Sequence, residues 1–375
     1  MRKTVLVRGY LNRNLGDDLF FKILFERYPN VNFVISDRKY VLNFIDKLKC
    51  NNVIRKNNKL NFLERVIVRF LDRNYSKRKF FWNIISSEKL YDAVLIIGGS
   101  LFQNPRKGVG SFFIDDATAI YKKIGNATPK YVIGSNFGPY VEDEFYRNAK
   151  DFFFSTSDVC FRDSYSWTLF KELPNVRYAP DVVFNLAYKS VEKIQNSIGI
   201  SLINSSETFR RNLYPYQDDY LRAITRIVTQ AAKDNRIVRL FSFCRSEGDD
   251  KAIQVVMSNI PKELHKMISL IYYEDDILSF LDSFQEMEIM ICTRFHSMIL
   301  GLLFKQKIFP IIYGKKMLHV LEDIGYKNKF INIEESKLLT YDDVVKNSLN
   351  DVTNIDEIRE MAKRQFQELD KLLLK

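Results

Sequence analysis

Apolar residues along this chain gather into short runs, and between the runs they recur every three or four positions. The runs suit buried strands and the wider spacing suits helices packed on a sheet. In the first half this pattern predicts strands at Thr4–Val7, Val31–Ser36, Ala93–Ile97, Tyr131–Ile133, Val159–Arg162 and Val176–Tyr178. A helix carrying Leu19, Phe20, Ile23 and Leu24 follows the first of them. The polar segment Tyr188–Asn196 interrupts the rhythm, and the domain boundary is placed there. A second series then runs strand Ile198–Ile203, helix Asp218–Lys233, strand Ile237–Phe243, helix Asp250–Met257, strand Met267–Ile271 and helix Asp276–Phe284. It ends in a strand–helix–strand unit at Ile289–Cys292, Ser297–Phe304 and Lys307–Tyr313. Such alternation implies parallel sheets. The expected fold is therefore α/β, with two Rossmann-like domains, 1–190 and 196–345, facing a central cleft. A last helix, Ile355–Leu374, is expected to pack back on the first domain.

Charged and small residues collect where these strands end. Arg294 and His296 fall at the turn between a predicted strand and a predicted helix. In parallel sheets that turn lies on the ligand-binding edge, and the helix start offers free N–H groups to an anion. Taken alone, the histidine could equally be a satisfied core residue and the arginine a partner for a nearby carboxylate. Gly16 in the loop before the first helix would allow close approach to the backbone, and Asp17 or Asp18 would cap that helix. Gly98-Gly99-Ser100 and Gly134-Ser135-Asn136 end two consecutive strands, which suggests a crevice floor approached closely by another group. Arg162 ends another strand, before a helix capped by Asp163 or Ser164. The first loop matches neither a dinucleotide-binding glycine pattern nor a phosphate-binding Walker loop.

Composition narrows the classes. With 46% hydrophobic residues in 375, the chain can fill two cores. No apolar run is long enough to span a bilayer and no leader pattern opens the sequence, so a cytoplasmic address is expected. Cys50, Cys160, Cys244 and Cys292 are widely spaced, which argues against a disulfide or zinc framework, with Cys160 and Cys292 read as buried thiols. His265, His296 and His319 with scattered carboxylates lack ligand spacing, so no metal is expected. The net charge of +11 is concentrated between Arg38 and Lys79. There Arg65, Arg69 and Arg73 alternate with Leu63, Val66, Ile67, Phe70 and Leu71, and Lys77–Trp82 follows. That segment, 63–82, suits a helix lying on an anionic membrane surface, or one packed on the domain with a solvated basic face.

Taken together, Asn14-Leu15-Gly16-Asp17-Asp18, Gly98-Gly99-Ser100, Gly138-Pro139, Phe161-Arg162-Asp163 with Ser166, Ala179-Pro180-Asp181 and Thr293-Arg294-Phe295-His296-Ser297 resemble the polysaccharide pyruvyl transferase family. The resemblance implies a fold similar to the B-type glycosyltransferases. It implies transfer of the pyruvyl group of phosphoenolpyruvate to two sugar hydroxyls, forming a cyclic ketal and releasing phosphate. Arg162, Arg294 and His296 match the family's phosphoenolpyruvate-site positions, and Asn14, Gly16 and Asp17 match its first loop. Departures are Asp18 where Glu is common, Phe295 where Leu is common and Ser100 where a third glycine is frequent.

The chemistry of such a reaction asks for these residue types. Two anionic groups on the donor need two sets of cations, which the forked guanidinium groups of Arg162 and Arg294 would supply from opposite domains. His296 would act as an acid, at C3 or at the departing phosphate, and Asp17 as a base toward the acceptor hydroxyl. The expected site is thus His296, Arg294 and Asp17 as catalytic groups, with Arg162, Asn14, Gly16, Gly98, Gly99, Ser100, Asn136 and Ser297 binding substrate. Phosphoenolpyruvate is a co-substrate, and no cofactor is expected. The expected acceptor is a hexose, as a 4,6-ketal on a galactose-type residue of a polyprenyl-diphosphate-linked glycan for bacterial surface polysaccharide, met at the inner membrane face. A glycosyltransferase using a nucleotide sugar, and a non-enzymatic polyanion-binding protein, are the competing readings. No nucleic-acid fold signature accompanies the charge.

Overall fold

A computed structural model describes residues 2–37, 39–57, 91–107, 127–347 and 355–374, together with scattered positions between 114 and 124. The basic segment 63–82 lies outside the described residues. By contacts the chain forms two compact units. Unit 1 comprises Met1–Leu11, Phe20–Val182 and Lys363–Lys375, and unit 2 comprises Asn12–Leu19 and Val183–Ala362.

Unit 1 is built on β1 (Thr4–Arg8), β2 (Asn32–Asp37), β3 (Val53–Asn57), β4 (Ala93–Ile97), β5 (Phe102–Asn104), β6 (Lys130–Ser135), β7 (Phe137–Tyr140), β8 (Asp158–Phe161) and β9 (Val176–Tyr178). Seven of these form one parallel sheet in the order β3-β2-β1-β4-β6-β8-β9, and β5 pairs with β7 beside it. The strand β3 escaped the hydrophobic pattern because only Val53 and Ile54 are apolar in an edge strand ending Arg55-Lys56-Asn57. β4 is buried at all five positions, as a central parallel strand must be. Val94, Ile96, Val132, Val159 and Phe161 pack against Phe102, Phe137, Phe153 and Phe170 to form an aromatic-rich core.

Unit 2 contains β10 (Ile194–Ser201), β11 (Ile237–Ser242), β12 (Ile268–Tyr272), β13 (Met287–Cys292), β14 (Lys307–Ile312) and β15 (Ile331–Asn332). They form a parallel sheet in the order β12-β11-β10-β13-β14-β15. Ile198, Ile200, Leu240, Ile289 and Ile291 meet one face of helix Gln217–Lys233 through Tyr220, Ile224, Ile227 and Val228. In each sheet the strand order reverses once, between β1 and β4 and between β10 and β13. Loops leaving adjacent strands at such a point diverge to opposite faces and leave a crevice, the place where open α/β sheets bind ligands.

The expected helix Ile355–Leu374 is three pieces: Ile355–Ala362, a 3-10 turn at Lys363–Phe366, and Gln367–Leu373. The break follows from Gln365, which is fully buried. Its amide accepts from the Gly134 N–H at 3.0 Å and donates to the carbonyls of Phe161, Ala179 and Pro180. Satisfying those backbone groups of unit 1 turns the chain away from helical geometry. Arg27 and Tyr28 then tie the last helix through Asp370.

Candidate functional site

The turn after β13 carries Thr293-Arg294, and the helix Phe295–Leu303 follows with Arg294 at its N-cap position. Ser201, at the end of β10, fixes the turn. Its Oγ accepts from the Thr293 and Arg294 amides at 3.1 and 3.2 Å and lies 2.6 Å from Ser297 Oγ. Ser297 in turn donates to the Arg294 carbonyl at 2.6 Å. Ser297 is fully buried in these contacts, so it shapes the turn from within. The half-exposed His296 stands in the first helical turn beside the Phe295 ring, with centroids 5.0 Å apart.

Arg294 is 6% exposed and its fork is engaged. Nε donates to Asp249 Oδ2 at 2.9 Å, Nη2 donates to Asp249 Oδ1, and Nη1 donates to Glu247 Oε2 at 2.6 Å. Burial alone would lower the arginine's pKa, but Asp249 and Glu247 raise it well above the ordinary value, so the charge is permanent. The sequence reading reserved this fork for a ligand; in the structure buried Asp249 takes the planar edge. Asp249 also accepts from the Phe243 and Cys244 amides at 3.1 and 2.9 Å. A second arginine, Arg210, donates to Glu247 Oε2 at 2.5 Å, so one carboxylate oxygen bridges two guanidinium groups.

The first loop belongs to this unit. Asn14 Oδ1 accepts from the Gly16 amide at 3.1 Å and the Asn14 carbonyl accepts from Asp18 N–H at 3.0 Å. Asn14 therefore caps the helix Leu15–Arg27, and the expectation that Asp17 or Asp18 would do so is corrected. Both aspartates lie in the first turn, where they complement the helix dipole. Asn14 also donates to Glu247 Oε1 at 3.4 Å, and the Leu15 amide donates to the Phe243 carbonyl at 3.1 Å. Asp18 is buried and accepts from the Tyr273 hydroxyl at 2.7 Å, while Arg13 pairs with Asp275. Gly16 is the point of closest approach: a Cβ there would lie 1.8 Å from His296 Nδ1. The loop thus lays bare backbone against the imidazole.

The remaining candidates gather in unit 1. Arg162 is 2% exposed, with Nη1 donating to Asp181 Oδ2 at 3.0 Å and Nη2 to Asn136 Oδ1 at 2.7 Å. The same Asn136 oxygen accepts from Ser100 Oγ at 3.1 Å, and Ser135 Oγ donates to the Gly98 carbonyl at 2.7 Å. A Cβ on Gly99 would lie 2.6 Å from Arg162 Nη1. What approaches Gly99 after β4 is therefore the guanidinium of Arg162, while Gly98 faces the side chain of Leu101. Asp163 caps the following helix, accepting from Ser166 N–H at 2.7 Å. Among the described residues, each unit consequently holds a buried arginine locked on a buried aspartate at the carboxyl edge of its sheet.

A family model described as polysaccharide pyruvyl transferase matches residues 14–315. The chain belongs to this family. Its members' activity makes it a transferase with a role in polysaccharide pyruvylation. Solved structures similar to this transferase include UDP-GlcNAc 2-epimerases and a glycosyltransferase, of the B-type glycosyltransferase-like fold. The UDP-GlcNAc 2-epimerase of Methanocaldococcus jannaschii has a TM-score of 0.61 at 9% identity, covering 99% of this chain and 100% of its own. S. aureus MnaA in its UDP co-structure has a TM-score of 0.60 at 12% identity, covering 100% and 98%. Anabaena HepE in complex with UDP and glucose has a TM-score of 0.58 at 9% identity, covering 100% and 99%. At these identities the likeness establishes the fold.

Several residues now seen around Arg294 escaped the sequence reading. Glu247 and Asp249 sit in a polar turn after β11, where charge is ordinary, and Arg210 lies in the short helical turn Glu207–Arg210. Tyr313 and Lys316 follow β14. Lys316 Nζ lies 5.4 Å from the Tyr313 ring centroid and 5.8 Å from that of Phe295, and Arg210 lies 5.9 Å from the Tyr313 ring. Burial would raise the Tyr313 phenol, but Lys316, Arg210 and Arg294 together pull it below its ordinary value. The one available signal was position: each follows a strand of the same sheet at its carboxyl edge. Among the described residues no helix is long and apolar enough to cross a membrane.

Proposed function

We propose that the transferase moves the pyruvyl group of phosphoenolpyruvate onto two hydroxyls of a hexose, releasing phosphate. The observation that carries the reading is the Thr293–Ser297 turn at the reversal point of the unit 2 sheet, with a permanent cation at its start and an imidazole two residues on. Protonation at C3 makes C2 electrophilic, and a sugar hydroxyl adds there. The C2–O bond to phosphate breaks, and the second hydroxyl closes the ketal. Of the two hydroxyl protons released, one balances the new methyl group and the other leaves with phosphate. His296 is suited to carry such a proton, because the anions it would face favour its charged form while the helix start opposes it. Asp17 is the base assigned to the acceptor, and Arg162 a substrate-binding residue. The acceptor proposed is a galactose-type residue of a lipid-linked glycan for surface polysaccharide, taken as its 4,6-diol.

Calorimetric titration with phosphoenolpyruvate, with UDP as comparison ligand, tests the donor. Binding of phosphoenolpyruvate that is lost in Arg294→Ala, without affinity for UDP, supports the proposal. UDP binding without phosphoenolpyruvate binding would overturn it in favour of a nucleotide-sugar transferase. Phosphate release that depends on a galactose-terminated lipid acceptor then tests the second substrate.

A further inference from the structure

Glu247 occupies an unusual position for a side chain that is not part of the core. Its Oε2 accepts from Arg294 at 2.6 Å and from Arg210 at 2.5 Å, and Lys316 stands on the neighbouring Phe295 and Tyr313 rings. Burial pushes the carboxyl up, but Arg294 and Arg210 pull it further down, to about 2, with Lys316 adding to the effect. It is thus an anion at every working pH, set among three cations.

Asp249, only two residues away, is held quite differently. It is fully buried, accepts from two backbone amides and grips the planar edge of Arg294. Glu247 has 29% of its side chain exposed and, among the described residues, accepts from the side chains of Arg294, Arg210 and Asn14 and from no backbone amide. It ends the 3-10 turn Arg245–Glu247, and Gly248 follows at φ 78°, a left-handed conformation that releases the turn from the helix beginning at Asp249. Asp249 therefore positions Arg294 permanently, and Glu247 is the carboxylate that can leave. With Glu247 in place the cluster of Arg210, Arg294, Lys316, Asp249 and Glu247 carries one net positive charge. With Glu247 swung out it carries two, which matches a phosphate-type dianion.

We propose that Arg210, Arg294 and Lys316 form an anion subsite, that Glu247 fills it as a resident carboxylate, and that the anionic group of the substrate displaces Glu247 on binding. The assignment of the ligand to phosphoenolpyruvate rests on the function proposed above; the displacement itself requires only a small phosphate-bearing anion. Removing the resident charge then strengthens binding: a site that its own carboxylate filled about nine-tenths of the time would have its apparent affinity reduced about tenfold. A purely structural Glu247, needed to aim Arg294, gives the opposite sign.

The test is calorimetry with phosphoenolpyruvate and with inorganic phosphate on wild type, Glu247→Gln and Arg210→Gln, with thermal melts to confirm folding. Glu247→Gln keeps the shape, and Arg294 keeps its fork on Asp249. The expected result is binding about tenfold tighter in Glu247→Gln and weakened in Arg210→Gln. Unchanged or weaker binding in Glu247→Gln overturns the resident-anion role, and unchanged binding in Arg210→Gln overturns the subsite. If inorganic phosphate binds more tightly to Glu247→Gln while phosphoenolpyruvate binds to neither protein, the subsite stands and the donor assignment fails. If neither probe binds to any of the three, both are overturned.

Discussion

Substituting Gly16 by alanine probes the contact between the first loop and His296 directly. Gly16 lies in the first turn of helix Leu15–Arg27 with a backbone conformation any residue adopts, so the substitution adds no strain of its own. On propensity alone, alanine would stabilise the helix by about 1 kcal/mol. The added Cβ, however, would sit 1.8 Å from His296 Nδ1, 2.6 Å from Cγ and 2.7 Å from Cε1. Ordinary contact requires about 3.5 Å, so the ring or the loop must yield by about 1.7 Å. If the loop yields, overpacking costs about 1–3 kcal/mol and cancels the propensity gain. If the imidazole yields, stability is spared and the reacting geometry is lost; a displacement of this size costs about 100-fold in turnover. The assay is phosphate release from phosphoenolpyruvate with acceptor, run beside a urea denaturation curve. A Gly16→Ala protein that is both more stable and fully active would refute the close approach.

Ser201→Ala removes the acceptor of the Thr293 and Arg294 amides, and a buried N–H without a partner costs about 1–3 kcal/mol. A loss in that range is expected by urea denaturation, accompanied by reduced turnover as the turn relaxes. Asp181→Ala deprives buried Arg162 of its carboxylate, for which a loss of about 3–5 kcal/mol is expected in the same measurement; a loss below 1 kcal/mol would mean that Asn136 and its neighbours suffice. For Asp18, burial raises the carboxyl well above its ordinary 3.8; the Tyr273 bond opposes this, and Asp17 and Asp275 add to it. The folded state then holds the proton more tightly than the unfolded state, so this contribution is full below the ordinary value and is lost as pH rises toward the folded one. Melting temperatures of Asp18→Asn and wild type should accordingly diverge in the variant's favour as pH rises from about 4, and parallel curves would sink the argument.

Much of the fold was legible in the sequence because burial on both faces leaves a plain mark. Ala93–Ile97 and the strands around Met287–Ile312 are found within a residue or two of their expected bounds. The Asp163 cap was readable for a different reason: side chain and amide are neighbours in sequence. Local chemistry misled where two residues competed for one role. Asn14, rather than Asp17 or Asp18, caps the first helix, and the final helix breaks because Gln365 serves backbone groups far from it in sequence.

The residue types of the candidate site and their places at strand ends were set by sequence alone, since a parallel sheet brings every strand end of one kind to one edge. Which groups face one another there was decided by tertiary structure. Asp249 and Glu247 lie more than forty residues before Arg294 and reach it because β11 and β13 both neighbour β10 in the sheet although apart in the chain, and Gly16 meets His296 across 280 positions. No local pattern records a carboxylate held among three cations. Its place follows from the order of the strands and from the desolvation of Arg294, which requires a buried partner wherever the fold can supply one.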